Sequence, residues 1–268
     1  MTLLLLAGGA AAGLFGAILG IGGGLLIVPL LVIGFDLPLT AAIGTSLVCV
    51  VATSLTAAAV NVRTGRADVR LGTVLELTAV AGAMLGALSA QLIPERMLAA
   101  AFAALMAYTA VTMVAGSQAE ESMEVGQPPV DPTMPDGPMA PAYRSHRLPA
   151  ALAGSVGAGI SSSLLGIGGG VVQVPLLRLV MGAPMHVAVA TSNYVIGVTA
   201  AAGSYAYLLR GDVDAAVAGP LMLGVAAGAV VGARVGPALR ARWLALLFAV
   251  VAFYVAVEMG LRATGIQP

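Results

Sequence analysis

The sequence predicts an all-α, polytopic membrane protein built from two repeats of inverted topology. Three observations indicate this fold class: an apolar composition, a series of windows without charge, and the motif GIGGG, which occurs once in each of two similar halves. In each repeat we expect a helical hairpin broken at GIGGG, followed by three membrane helices.

The composition places the chain in a lipid bilayer. Of its 268 residues, 59% are hydrophobic and 9% are charged, whereas soluble domains carry about 25% charged residues. A surface this apolar would aggregate in water. The net charge of +0 gives no general attraction to nucleic acid, so we expect no nucleic-acid partner. The lone Cys49 excludes an intrachain disulfide.

Windows without Asp, Glu, Lys or Arg predict the membrane segments. Most of them approach or exceed the roughly 20 residues that a helix needs to span about 30 Å of hydrocarbon. They show no alternation of period two, which argues against a membrane β-barrel. The windows are 1–35, 37–62, 77–94, 97–119, 148–177, 179–209, 215–233 and 243–257.

A polar stretch divides the chain into two parts. Residues 117–147 hold five acidic residues and six prolines without an apolar period, so they bury too little surface to fold alone. We expect a flexible cytoplasmic linker here, between a first membrane repeat at 1–116 and a second at 148–268.

The two parts are repeats of each other. A shift of 146 residues superimposes the GIGGG that begins at Gly20 on the one that begins at Gly166. The same shift, without a gap, aligns further pairs over about 90 positions, among them Pro29 with Pro175, Thr45-Ser46 with Thr191-Ser192, Asp68 with Asp214, and Phe102 with Phe248. Duplicated halves of this kind are common in secondary transporters.

The arginines favour an inverted second repeat. If the chain folds back on itself at each GIGGG, every repeat has an odd number of crossings, and nine of the twelve basic residues share one side. Cytoplasmic loops carry such an excess of positive charge. We therefore expect both termini outside. The nine are Arg63, Arg66, Arg70, Arg144, Arg147, Arg178, Arg234, Arg240 and Arg242.

The two GIGGG motifs predict a substrate site. Glycines disfavour a helix interior, and broken backbone inside a membrane is tolerated where it is buried in protein or lines a cavity. The helices that follow each break present free N–H groups and a positive dipole end, which suit an anion. The predicted contacts are Gly22, Gly23, Gly24, Gly168, Gly169 and Gly170. The alternative is that these glycines only let two helices cross tightly.

Uncharged polar residues at matched positions extend this site. Hydroxyl and amide groups hold an anion without fixed charge, so the ligand can also leave. The predicted residues are Thr45, Ser46, Thr191, Ser192, Asn193 and Gln173, the last replacing Ile27 of the first repeat. The alternative for each hydroxyl is a bond to its own helix or to a neighbouring helix.

Other polar and small residues receive simpler interpretations. Glu76 lies within a membrane segment, where a carboxylate is a candidate proton carrier, although it could also reach the interface near Arg70. Asp68 and Asp214 are expected to cap helices. The four glycines spaced by four residues from Gly224 to Gly236 predict close helix packing.

The motifs resemble those of the sulfite exporter TauE/SafE family. They are GLFGAILGIGGGLLIVPLL and AGISSSLLGIGGGVVQVPLL, each followed by a Thr-Ser pair and then by GRAD or GDVD. The resemblance implies a permease of the bacterial inner membrane for small sulfur-containing anions such as sulfite or organosulfonates, with the paired glycines and hydroxyls lining its cavity.

We therefore expect a secondary transporter, with export as the expected direction, that works by alternating access around the two breaks. The alternatives are a passive anion channel and a membrane assembly subunit that transports nothing. No catalytic constellation, metal-binding motif or cofactor motif is present in the sequence, so we expect neither an enzyme nor a bound cofactor. A homodimer is a candidate assembly of the chain.

Overall fold

The computed structural model describes residues 1–123, 147–236 and 241–264, and no strand occurs in these three ranges. Their helices confirm an all-α polytopic fold. They are α1 (Thr2–Leu19), α2 (Gly24–Gly34), α3 (Leu39–Arg63), α4 (Val69–Ser89), α5 (Glu95–Met123), α6 (Leu148–Leu165), α7 (Gly170–Pro175), α8 (Met185–Arg210), α9 (Ala215–Val235) and α10 (Ala241–Thr264).

Within these ranges, six helices are long and apolar enough to cross a membrane: α1, α3, α4 with its 3₁₀ extension to Leu92, α6, α8 and α9. The segment after each GIGGG is shorter. α2 has 11 residues, and α7 continues as π turns from Leu176 to Val180. At about 1.5 Å per residue, such segments are too short to span the hydrocarbon alone.

Each short helix folds back along the long helix before it. A side chain at Gly8 of α1 would meet Leu30 of α2, and one at Gly16 would meet Gly23. The second half repeats this contact between Gly154 of α6 and Leu176. The predicted hairpins broken at GIGGG are therefore present in both halves.

The halves pack through matched helix pairs. α1 packs along α9 and α6 along α4, while α3 packs against α8 and α5 against α10. Glycines permit the close approach: a Cβ at Gly224, Gly228 or Gly232 would meet a backbone carbonyl of α1. The prediction of close packing by this glycine series is confirmed.

The two equivalent long helices, α3 and α8, run antiparallel to each other. Gly44 near the start of α3 lies against Tyr207 near the end of α8, whereas Leu47 lies against Gly203 and Ser54 against Gly197. Positions therefore ascend along α3 as they descend along α8.

Side chains and caps define where several helices begin. Asp68 and Asp214 are the N-caps of α4 and α9, and each side chain accepts a backbone N–H of the first turn, which confirms their predicted role. Glu95 Oε1 accepts the N–H of Leu39 (2.8 Å) and so caps α3 from the start of α5.

The polar stretch between the halves is described only at its ends. α5 continues to Met123, beyond residue 116 where the first repeat was expected to end, because Ala, Gln and Glu are good helix formers. The expected linker otherwise falls on residues 124–146, which lie outside the described ranges.

Candidate functional site

The two GIGGG motifs form the same broken backbone in both halves. Gly20, Gly22 and Gly23 have φ angles of 71°, 78° and 81°, and Gly166, Gly168 and Gly169 have angles of 70°, 80° and 80°. Only glycine adopts this left-handed region without cost. The first glycine of each motif is the C-cap of α1 or α6, the third is the N-cap of α2 or α7, and the fourth is the first residue of that helix.

The two breaks touch each other midway along α3 and α8. A side chain at Gly24 would collide with the carbonyl oxygen of Gly166, and one at Gly170 would collide with that of Gly20. Val50 of α3 lies beside both Gly22 and Gly168. The six glycines predicted to bind substrate are thus brought together, and their tight crossing is also what the packing alternative requires.

Ser46 and Ser192 join the two breaks by reciprocal hydrogen bonds. Ser46 Oγ donates to the carbonyl oxygen of Gly166 (2.7 Å), and Ser192 Oγ donates to that of Gly20 (2.9 Å). Both serines are fully buried. Each hydroxyl therefore holds the glycine turn of the opposite half.

Thr45 and Thr191 hold the loops that precede α9 and α4. Thr45 Oγ1 accepts the N–H of Asp214 (3.2 Å), and Thr191 Oγ1 accepts the N–H of Asp68 (2.9 Å). The four predicted hydroxyls consequently occupy the contact between the halves, and each has a partner in the protein.

Asn193 and Glu76 each carry a buried oxygen that has no hydrogen-bond partner among the described residues. Asn193 Nδ2 donates to the carbonyl of Ala17 (3.2 Å), which leaves its Oδ1 unpaired. Glu76 is partly buried in α4 with Oε2 unpaired. It lies one helical turn before Ala79, a residue that lines the crevice beside the second break.

Gln173 lies in a buried polar cluster with Ser155, and the counterparts of these two residues in the first half, Ile27 and Gly9, are apolar. Its Nε2 donates to Ser155 Oγ (3.1 Å), and both residues are fully buried. A crevice between α4, α6, α8 and the second break is lined by Gln173, Thr199, Gly168 and Gly169. The crevice has no room for a water molecule, so this centre is closed.

Ser155 and Thr199 also belong to this cluster, and neither was predicted from the sequence. The repeat register contains part of the signal, because Ser155 corresponds to Gly9 just as Gln173 corresponds to Ile27. Because both apolar residues of the first repeat are replaced by polar ones in the second, the register indicates that Ser155 and Gln173 form a polar pair. Thr199 corresponds to Thr53 and gives no such signal.

Comparison with known proteins decides the family. The family model described as "Sulfite exporter TauE/SafE" matches residues 5–259, which is nearly the whole chain. The chain belongs to the sulfite exporter TauE/SafE family. The match includes both GIGGG breaks and both Thr-Ser pairs of this TauE/SafE protein.

Two curated relatives of the TauE/SafE protein come from Bacillus subtilis (strain 168). "Probable membrane transporter protein YunE" is 25% identical over 258 residues, with 94% of each chain covered. "Probable membrane transporter protein YdhB" is 27% identical over 218 residues, covering 81% of this chain and 82% of the relative. No solved structure matches the chain.

Proposed function

We propose that this protein is a secondary transporter that exports small sulfur-containing anions, such as sulfite or organosulfonates, across the bacterial inner membrane by alternating access. The family description names sulfite, and the two relatives are named as probable membrane transporters. One observation carries the proposal: the glycine breaks of two matched halves meet midway along α3 and α8. Halves that meet at a broken backbone are typical of carriers.

Three observations support an inverted second repeat with both termini on one side of the membrane, and the arginine distribution favours the outside. The equivalent helices α3 and α8 run antiparallel. Arg262 near the end of α10 lies 3.8 Å from Asp36, in the loop after the first hairpin. Arg210 at the end of α8 donates to the carbonyl of Ala87 at the end of α4 (2.6 Å). All three observations are expected if each hairpin enters the membrane and returns to the side from which it entered.

Accessibility labelling tests this topology. Single cysteines at Asp36 and at Thr64, in a Cys49→Ala background, should react from opposite sides of sealed inside-out and right-side-out vesicles. Asp36→Cys should react with an impermeant maleimide from outside and Thr64→Cys from the cytoplasm. Reaction of both from one side would contradict the proposed crossings.

Transport is tested with the purified full-length protein in liposomes. Radiolabelled sulfite should enter with saturable kinetics, and unlabelled sulfite inside the liposomes should accelerate its entry, because a carrier reorients faster when loaded. Flux that neither saturates nor responds to internal sulfite would identify the passive channel. Flux equal to that of protein-free liposomes would reject transport of sulfite.

Paired variants test the role of the hydroxyls. Thr45→Val with Thr191→Val should lower flux at least tenfold, because the hydroxyls fix the loops that connect the two halves. The matched control is Thr56→Val with Thr112→Val, whose hydroxyls bond only within their own helices. Equal flux in both double variants would remove Thr45 and Thr191 from the transport machinery.

We also propose that Glu76 couples transport to protons, because an unpaired carboxylate oxygen close to the crevice can bind and release a proton. Glu76→Gln should preserve counter-exchange of sulfite at equal pH but abolish the acceleration of flux by a pH gradient. Glu258→Gln, which alters a carboxylate beside Arg262, is the control. An unchanged response to the gradient in Glu76→Gln would exclude Glu76 as the coupling group.

The packed centre favours a second candidate function, that of a membrane assembly subunit. The described crevice is too small for a water molecule, which is expected of a protein whose centre never opens. The two functions differ in motion: a carrier must open this centre, whereas a subunit need not. Maleimide modification of a cysteine introduced at Val50, in the Cys49→Ala background, should become faster with methanesulfonate present if the protein is a carrier.

A further inference from the structure

The polar groups around the closed centre are distributed unequally between the two repeats. In the second half Ser155, Ser162 and Gln173 are buried, with at most 1% of each residue exposed. Their counterparts at the same register are Gly9, Gly16 and Ile27. The backbone is symmetric at the breaks, but of the two hairpins only the one formed by α6 and α7 carries buried polar side chains.

This polar set retains unused hydrogen-bond donors. Ser162 Oγ is buried without a partner among the described residues, and its Cβ lies against Gly169 of the second break. Gln173 Nε2 donates one N–H to Ser155, and a side-chain amide has two to give. A free hydroxyl and a free amide N–H, both uncharged and buried, suit an acceptor with several oxygens.

The helix that carries Gln173 is also irregular where its counterpart is regular. After Pro175 the chain forms π turns from Leu176 to Val180, whereas α2 continues as an α-helix past Pro29 to Gly34. π turns are rare and frequently occur at functional sites. The second hairpin therefore has a deformable point directly after the polar side chain that lines the crevice.

We propose that the anion-binding subsite is one-sided. The second repeat supplies it: Gln173 and Ser162 donate hydrogen bonds to the oxygens of a small oxyanion in the crevice, and Ser155 orients the Gln173 amide. Gln173 is the specificity-determining residue. The first repeat contributes Ala79 of α4 to the apolar lining of the same crevice. This inference rests on the proposed transport function.

The subsite must widen to admit its ligand, since the crevice is too small for water when closed. The π turns after Gln173 provide the place where the second hairpin can shift without breaking α8. Ligand binding and hairpin displacement are then one event, in which burial of the oxyanion satisfies donors that lack partners in the closed state.

The experiment exchanges residues between the repeats. Sulfite, sulfate and methanesulfonate are the probes, because they differ in the number of oxygens and in charge, and flux of each is measured in liposomes. Gln173→Ile, which places the first-repeat residue in the second repeat, should raise the KM for sulfite at least tenfold and reduce its preference over methanesulfonate. The control is Ile27→Val, which removes one methylene from the first-repeat counterpart of Gln173, a residue that does not line the crevice, and it should leave both unchanged.

Two further variants separate binding from folding. Gln173→Met keeps the length of the side chain and removes its donors, so it should reproduce the raised KM with little change in maximal rate. Ser162→Ala should raise the KM for sulfite without altering thermal stability, because its hydroxyl has no partner to lose. A merely structural Gln173 would lower the amount of folded protein and leave the order of substrate preference intact.

Each outcome has a distinct meaning. Flux of sulfite in the wild-type protein, combined with wild-type KM and preference in Gln173→Ile, Gln173→Met and Ser162→Ala, would overturn the one-sided subsite and leave transport established. Absence of flux for every probe in the wild-type protein would overturn the proposed function, and the subsite with it. An equal rise in KM in Ile27→Val and Gln173→Ile would show a two-sided site.

Discussion

Because the two breaks touch, we expect Gly→Ala substitutions to destabilise the protein at the breaks and to stabilise it at an exposed helical glycine. Gly24→Ala and Gly170→Ala each add a methyl group directly against a backbone carbonyl of the other break. A backbone carbonyl cannot rotate away as a flexible side chain can, so the two segments must separate. Overpacking of this kind costs about 1–3 kcal/mol, and we expect values of about 2–3 kcal/mol here because both neighbours are main chain.

Gly157→Ala is the matched control. Gly157 lies on the exposed side of α6 with nothing within 4 Å of an added Cβ. The same substitution should therefore stabilise the helix by up to about 1 kcal/mol, because alanine has the higher helix propensity. Opposite signs for one chemical change separate the effect of the crossing from the general effect of replacing glycine.

The chain contains its own reporter of unfolding. Cys49 is the sole cysteine, and it is 0% exposed at the middle of α3. A maleimide that fluoresces on reaction with a thiol should therefore report the temperature at which the detergent-solubilised protein opens. We expect Gly24→Ala and Gly170→Ala to lower this midpoint by roughly 5–10 °C. A midpoint at or above the wild-type value for either variant would refute direct contact between the breaks.

Three further predictions use the same assay. Ser46→Ala and Ser192→Ala should each lower the free energy of unfolding by about 1–2 kcal/mol, because each leaves a buried glycine carbonyl of the opposite half without its donor. Thr56→Val, which loses a hydrogen bond within its own helix, should lower it by less. An unchanged midpoint in either serine variant would contradict the reciprocal bonds. Asp214→Ala should cost about 1 kcal/mol and Asp214→Asn only a small part of that, because asparagine also caps helices; equal losses would indicate a role other than capping. Cys49 in folded protein should react with maleimide roughly 30- to 1,000-fold more slowly than a free thiol at 25 °C, and modification at the rate of a free thiol would show that the centre is open.

The sequence predicted the fold class because lipid imposes simple rules on composition. Apolar windows without charge identified the membrane segments, but they did not identify helix ends. α4 begins at Val69, ahead of the window at 77–94, because Arg70 and Glu76 occupy its first turns and Asp68 caps it. The window at 148–177 contains α6, the break and α7. Helix boundaries depend on caps and glycine turns, which charge counts do not detect.

The site was predictable up to the contacts that join the two halves. The repeat register identified which glycines and hydroxyls correspond, and the structure places all of them at one interface. The repeat register did not predict the bond from Ser46 to Gly166 or the bond between Thr45 and the loop before α9, because a sequence gives no distance between the repeats. The interpretation of the hydroxyls as ligands therefore competes with the main-chain partners found for them.

The free energy of the serine hydrogen bonds at this interface is small enough for the two breaks to separate during transport. If the two serine bonds contribute about 1–2 kcal/mol each, their simultaneous loss costs about 2–4 kcal/mol, which corresponds to an open population of roughly 0.1–3%. That is low enough for the packed centre to be the dominant state and high enough for a ligand to select the open one. In the proposed subsite, a bound oxyanion that satisfies Ser162 and Gln173 would compensate for the broken serine bonds. The closed centre would then open rarely without an anion and far more often with one, which is the behaviour expected of a carrier rather than a channel.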